Sequence, residues 1–404
     1  MRIVPINITA QNEAERLMKE YGVTEQGVKI LSPKTVFYSF ILEGISSWEA
    51  NIIKQHLLSL GSDSAISRDA LVKDIKTSTL VFGTKSQLQK LCQKLSVQPF
   101  NLRNIAETLS VYLDNVSREN HVFEARGKLI RLKKPIVCGI INVTPDSFSG
   151  DGLLAGRSNS NSLEKDVLNK VSGMIRDGAK MIDIGGESTR PFSEPIKESE
   201  EIKRIIPVLK LIRCKFKKLP ISCDTYKYKV AQAAVDYGAD IINDITALRK
   251  SPKISCLIKK YKLGCILMHM QANPLTMQNN PVYRDVVCDL MDFFSERLNY
   301  CRKQGISSNQ IAIDPGIGFG KKLNDNLQLL KRMKAFKSFG VPVFLGVSRK
   351  SFIADTLNRS IGERLSGTIA SSVVSILNGV SMLRVHDVRA AADMVDMVWA
   401  IKNS

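Results

Sequence analysis

Between Pro135 and His386 the chain alternates short apolar runs with longer amphipathic ones. The apolar runs are Pro135–Asn142, Met181–Ile184, Ile221–Asp224, Ile241–Asp244, Cys265–Met270, Ile311–Asp314, Val341–Lys350 and Met382–His386. Each is too short for a buried helix. Their cores are aliphatic and rich in Ile and Val, the signature of parallel strands covered on both faces. Helical periodicity fills the gaps, over Leu163–Arg176, Glu198–Phe216, Lys227–Tyr237, Ser251–Tyr261, Val282–Gln304, Asn324–Ser338, Ile369–Leu377 and Val388–Ile401. Gly178, Gly238 and Gly305 sit where a helix should stop before the next strand. Eight strand–helix units in series predict an α/β fold, a closed (β/α)8 TIM barrel over residues 135–404. Such a barrel brings all its strand ends to one mouth.

Residues 1–115 predict a separate small α/β domain. Arg2–Ile8 and Thr35–Leu42 read as strands, Asn12–Tyr21 as a helix, and Ser47 opens a helix that stops at Gly61. Strands at Ser64–Arg68 and Ser78–Phe82 and helices at Lys85–Leu95 and Leu102–Leu113 complete it. No catalytic constellation is visible in this region. Residues 116–134 form a junction, where Val122–Ala125 and Lys128–Arg131 flank Arg126-Gly127 as a hairpin expected beneath the barrel.

Composition narrows the function classes. No apolar run approaches the ~20 residues of a membrane helix. The opening Met1-Arg-Ile-Val-Pro lacks the apolar segment of a secretion signal, so a cytoplasmic protein is expected. The eight cysteines are scattered without a C-x-x-C pair, which points to reduced core thiols and away from zinc. The net charge is +19, yet basic residues are spread along the chain and aromatics are only 6%. That pattern argues against nucleic acid and for a solvated basic surface around a site for a polyanionic substrate.

The strand ends offer Asn142, Asp183, Asp224, Asn243, Met268, Asp314, Lys350, Arg384 and His386. Any one Asp or Asn after a strand is ordinarily a helix cap; a whole ring of such residues around one mouth is a site. Asp224, Asn243, Asp314 and Lys350 suit a flat heterocycle rich in N–H and ring nitrogen, such as a pterin or purine. Met268 and Phe319 could sandwich it. Arg384 and His386 share one side of a strand and make an anion clamp; the competing role for them is an ion pair with Asp387 or another carboxylate. Asn142 could ligate a Mg²⁺ that bridges phosphate oxygens. The run Gly316-Ile-Gly-Phe-Gly320 lacks dinucleotide-binding spacing, and Gly346–Ser351 is no P-loop.

These motifs resemble one family. Ile140–Ser149, Asp183–Pro191, Met268–Gln271, Asp314–Gly320, Ser348–Phe352 and Arg384–Asp387, in that order, are similar to the motifs of dihydropteroate synthase. The resemblance spans about Phe123 to Ser404 and leaves the N-terminal region as an extension. It implies a barrel that joins 4-aminobenzoate to 6-hydroxymethyl-7,8-dihydropterin diphosphate. By that resemblance Asp224, Asn243, Asp314 and Lys350 would bind the pterin, with Thr189, Met268, Phe319 and Arg384 lining it. Asn142 would hold Mg²⁺, and Arg384 and His386 would grip the diphosphate. Thr189, Arg190, Pro191, Phe319 and Ser351 would receive aminobenzoate, and Asp146 and Arg190 would assist the chemistry from two loops. A homodimer through barrel helices is implied as well. Two departures from the family pattern stand in those loops, Phe192 after Pro191 and Gly150 before Asp151.

The chemistry expected is a dissociative displacement. Diphosphate leaves once its charge is neutralised, and the pterin methylene cation is stabilised by the carboxylates of Asp224 and Asp314. The aryl amine needs orientation more than activation. The alternative is a pterin-dependent corrinoid methyltransferase on the same barrel, for which an anion clamp has no use.

Overall fold

The computed structural model describes residues 1–119, 121–144, 160–189 and 193–404, in two compact units, Met1–Arg118 and Glu119–Ser404. The first unit runs helix, helix, strand, helix, strand, strand, helix, helix. Its strands Phe37–Ser46, Asp63–Ile66 and Lys76–Thr84 form an antiparallel sheet with the third strand in the middle. Two of its helices start on capping boxes. Ser46 with Glu49 opens Ser47–Ser59, and Thr84 with Gln87 opens Lys85–Leu95. Ile53, Leu57, Val81, Leu88, Leu91, Leu95, Leu102 and Leu109 make its core.

One expectation for this unit fails, and one of its elements was not expected. Arg2–Ile8 forms no strand, and Ile3, Val4 and Ile6 are exposed. Its alternation carries strand propensity, but Pro5 removes a ladder donor and no neighbouring strand pairs with it. Glu25–Leu31 is a helix that the pattern did not reveal, capped by the Thr24 hydroxyl.

The second unit is a (β/α)8 barrel. Its strands are β1 Ile136–Asn142, β2 Met181–Gly185, β3 Ile221–Asp224, β4 Ile241–Asp244, β5 Gly264–Met268, β6 Ile311–Asp314, β7 Phe344–Leu345 and β8 Met382–Val385. All neighbours are parallel, in the order β6-β5-β4-β3-β2-β1-β8-β7, and a bridge between Ile313 and Val343 joins β6 to the chain entering β7. The helices that follow these strands are α1 Ser160–Arg176, α2 Glu198–Lys215, α3 Tyr228–Asp236, α4 Ile254–Tyr261, α5 Val286–Lys303, α6 Leu323–Lys331, α7 Leu365–Leu377 and α8 Val388–Asn403. A short helix, Ser351–Leu357, intervenes before α7. Between the strands and helices lies the main apolar core, with Ile184, Val208, Val230, Leu267, Phe294 and Phe336 fully or almost fully buried.

The barrel floor is closed by the hairpin His121–Ala125 and Lys128–Leu132. Phe123 is fully buried against Cys138, Met181, Ile241, Ile266, Ala312, Phe344 and Met382, which point inward from the strands. Arg126 at the turn donates to the carbonyls of Val235 and Ala239, at 2.7 and 3.1 Å. Lys128 reaches Asp240 at 2.7 Å. Truncating such a plug to Ala costs about 3–5 kcal/mol. All eight cysteines are free thiols; Cys138, Cys223, Cys265 and Cys301 are core, whereas Cys214 and Cys256 are exposed.

Candidate active site

The strand alternation that puts apolar side chains on the outside of the barrel puts polar ones inside at the C-terminal ends. Asp224 and Asn243 are registered neighbours on β3 and β4, and Met268 and Asp314 are registered neighbours on β5 and β6. They line a deep pocket with Ile140, Ile245, Phe319, Lys350, Arg384 and His386. A wider pocket opens above it, sharing Thr189, Asp224, Phe319, Ser348, Lys350, Arg384 and His386, and adding Asn142, Thr144, Glu187, Met277, Ser351, Ile361 and Arg364. Thus Asn142, Thr189, Asp224, Asn243, Met268, Asp314, Phe319, Lys350, Ser351, Arg384 and His386 meet around one mouth. Asp146, Phe148, Gly150, Arg190, Pro191 and Phe192 lie outside the described residues.

Arg384 is the hub. Its Nε donates to Asp183 at 2.6 Å and its Nη2 to Asp224 at 3.1 Å. Asp183 also accepts from Asn243 Nδ2 at 3.3 Å. Two carboxyls therefore face one guanidinium. Burial, then the charge of Asp183, pushes the Asp224 carboxyl up to about 8, with Arg384 opposing. Burial works against the Arg384 cation, yet Asp183 and Asp224 hold its proton more tightly than usual. The competing role for Arg384 is thus partly realised: it does pair with carboxylates, but with those of the pocket. Asp387 is taken by Arg349, through bonds of 3.0 and 2.5 Å. His386 instead meets the Ser348 hydroxyl, 3.0 Å from Nδ1.

Lys350 lies across the pocket. Its Nζ bonds the Ile317 carbonyl and sits 4.5 Å from the Phe319 ring centroid. Burial lowers its pKa to about 8 against the pull of Asp314. Burial raises Asp314 in turn, while Lys350 and the Gly316 N–H at 2.7 Å restrain it.

The glycine run after β6 serves chain approach. Gly316 has φ +68°, and a Cβ there would come 2.0 Å from the His269 carbonyl oxygen. Only glycine lets the β6 loop lie against the β5 loop. Lys321, buried, fastens the two: its Nζ is 3.0 Å from His269 Nδ1 and 3.0 Å from the Phe319 carbonyl. Burial brings this amine down to about 7.

Sequence reasoning missed several of these residues. Asp183 stood among nine candidate residues without a role, and its bonds to Arg384 and Asn243 assign it one. Glu187, Met277, Ile361 and Arg364 reach the outer pocket from loops whose course periodicity does not set. Asn142, whose amide carries a hard oxygen, lines that pocket. Among the described residues no group of three His, Cys, Asp or Glu side chains could hold a metal by itself. The one Asn142 oxygen could fill one position of a Mg²⁺ whose other ligands are water and substrate phosphate.

Comparisons with known proteins agree with this geometry. The profile of a family described as pterin binding enzyme matches residues 138–386. The dihydropteroate synthase of Haemophilus influenzae is 40% identical over 280 residues, covering 69% of this chain and 98% of that protein. That of Escherichia coli is 41% identical over 276 residues, covering 68% and 95%. Among solved structures, Yersinia pestis dihydropteroate synthase with a sulfonamide drug superposes with a TM-score of 0.65 at 37% identity, covering 70% of this chain and 100% of that one. The Xanthomonas albilineans enzyme with 4-aminobenzoic acid gives 0.63 at 34% identity, covering 70% and 99%. The same enzyme in complex with 7,8-dihydropteroate gives 0.62 at 34%, again covering 70% and 99%.

Proposed function

The chain belongs to the dihydropteroate synthase family, and on that premise we propose how its side chains carry the reaction. The enzyme is a transferase of folate synthesis. It joins the amine of 4-aminobenzoate to the methylene carbon of 6-hydroxymethyl-7,8-dihydropterin diphosphate, giving 7,8-dihydropteroate and diphosphate.

The pterin would lie in the deep pocket between Met268 and Phe319. Its ring N–H groups would donate to Asp224, Asn243 and Asp314, and Lys350 would donate to its acceptor atoms. Its diphosphate would point to the outer pocket, where Arg384 and His386 neutralise the departing charge. As the C–O bond lengthens, positive charge spreads from the methylene into the ring. Asp224 and Asp314 favour that charge from below. The aryl amine, held by Thr189, Ser351 and the neighbouring loops, then bonds to the methylene carbon and loses its proton to solvent. Asn142 would hold a Mg²⁺, which supplies further neutralisation of the phosphate oxygens. On this reading Asp146, Arg190 and Pro191 act from the two loops.

What supports the reading most is that heterocycle-binding groups and anion-gripping groups share one cavity and even one hydrogen-bond network, through Arg384. A corrinoid methyltransferase would not use the second set. The exposed Leu327, Leu365, Val374, Leu377, Met397 and Ile401 on α6, α7 and α8 support a homodimer through those helices. No described helix is long and apolar enough to cross a membrane; as an enzyme of folate synthesis the protein would work in the cytoplasm. Incubating the protein with both substrates and Mg²⁺ should release diphosphate and dihydropteroate in equal amounts. No release, with both substrates bound, would sink the assignment.

A further inference from the structure

The stem of the loop after β2 is tied by a buried ion cluster for which the reaction itself has no use. Glu187 opens the stem and Ile196 closes it. Glu187 Oε2 accepts the Ile196 N–H at 2.9 Å. Lys227, at the head of α3, donates to the Ile196 carbonyl at 2.7 Å and to Glu201 Oε2 at 2.7 Å, and also bonds Glu187. The hydroxyls of Ser188 and Ser193 meet 3.0 Å apart across the same neck. The side chains of Glu201, Glu187 and Lys227 are only 1%, 5% and 10% exposed. Behind them Gly186 packs so tightly that a Cβ would come 2.8 Å from Ile205.

The cluster reaches the pocket from its other side. Tyr226 donates its hydroxyl to Glu187 Oε1 at 2.8 Å, while its ring packs with Ile245, Met268, Met270 and Met277. Phe319 joins that wall. Two carboxylates around one buried ammonium are a poor way to gain stability, because apolar side chains of similar volume do as well or better. What such a cluster supplies is direction. Here it fixes the path of the chain leaving β2, and with it Thr189, two residues beyond Glu187, which lines both pockets.

We propose that Glu187, Lys227 and Glu201 are positioning residues that set Thr189 for 4-aminobenzoate, with the Tyr226 hydroxyl bracing Glu187. The proposal rests on the reading of function above and adds to it the means by which the second substrate is oriented. Of the pterin-binding groups, Asp224, Asn243, Met268 and Asp314 stand at the ends of β3 to β6, and Lys350 heads the short helix after β7, so each has an anchor of its own. Lys227→Met should therefore raise KM for 4-aminobenzoate on the order of tenfold. It should leave the affinity for 6-hydroxymethyl-7,8-dihydropterin, measured by calorimetry, within about twofold. Lys227→Arg should recover most of the loss. Tyr226→Phe keeps every charge and endangers folding least; it should raise the same KM by a smaller factor.

Hydrogen exchange at the Ile196 amide reads the anchor without catalysis and should quicken in Lys227→Met. An unchanged exchange rate, an unchanged aminobenzoate KM, or an equal loss of pterin affinity would overturn the proposal. A wild type that released no diphosphate would instead remove the functional reading, and the exchange rate would still decide whether the cluster holds the stem.

Discussion

Arg384 engages the very carboxylate that the pterin needs. Asp224 accepts from its Nη2 at 3.1 Å and is pushed up to about 8 by burial and by Asp183. On that account the free enzyme should favour a proton on Asp224 below that pH. The pterin ring arrives with N–H donors and requires the carboxylate. Binding should therefore release a proton, and affinity should rise with pH, by up to about tenfold per unit, as far as about 8, where the Lys350 ammonium starts to be lost. The neutral 6-hydroxymethyl-7,8-dihydropterin avoids titration of the diphosphate. Calorimetry at pH 7 in buffers of different ionisation enthalpy should register close to one proton released. Asp224→Asn should bind weakly and release none. If the wild type released no proton, Asp224 would already be ionised in the free enzyme.

At the scale of loops, the β5 and β6 connections behave as one element. Gly316 presses on the His269 carbonyl, and Lys321 spans the two chains. Gly316→Ala would place a methyl group in the left-handed region against backbone. It should destabilise the barrel on the order of 2 kcal/mol and displace Met268 and Phe319 together. Gly362, with nothing within 4 Å of its Cβ position, is the matched control and should tolerate alanine. Urea unfolding and pterin affinity of both variants check this; equal behaviour would sink it. The same contrast explains what the sequence made legible. The eight barrel strands were readable because a parallel strand buried on both faces leaves a short aliphatic run. Their polar last residues were readable because a barrel collects strand ends. Pairings between loops left no periodic trace. Neither the Arg349–Asp387 bond, which takes Asp387 away from Arg384, nor the Glu187–Lys227 stem could be foreseen from spacing. In the N-terminal unit, Arg2–Ile8 shows that strand propensity without a partner strand makes no strand.

Over the whole molecule the charge is distributed unevenly. Residues 119–404 carry 44 of the 58 basic and 28 of the 39 acidic side chains, a net +16, whereas residues 1–118 carry only +3. The field therefore centres on the unit that holds the site. A cleft in such a field raises the encounter rate of an anion, and the gain grows with the anion's charge. Pterin diphosphate carries several negative charges and 4-aminobenzoate one. Screening shortens the reach of the field from about 30 Å at 0.01 M salt to about 10 Å at 0.1 M. Over that range kcat/KM for pterin diphosphate should fall on the order of tenfold while kcat holds. The fall for 4-aminobenzoate should be shallower, since its single charge feels less of the field. Reversing Lys253 and Lys322, which are exposed on the mouth side after β4 and β6 without lining either pocket, should flatten the pterin diphosphate profile and leave kcat alone. Identical salt slopes for the two substrates would assign the basicity to solvation of the surface and none of it to capture.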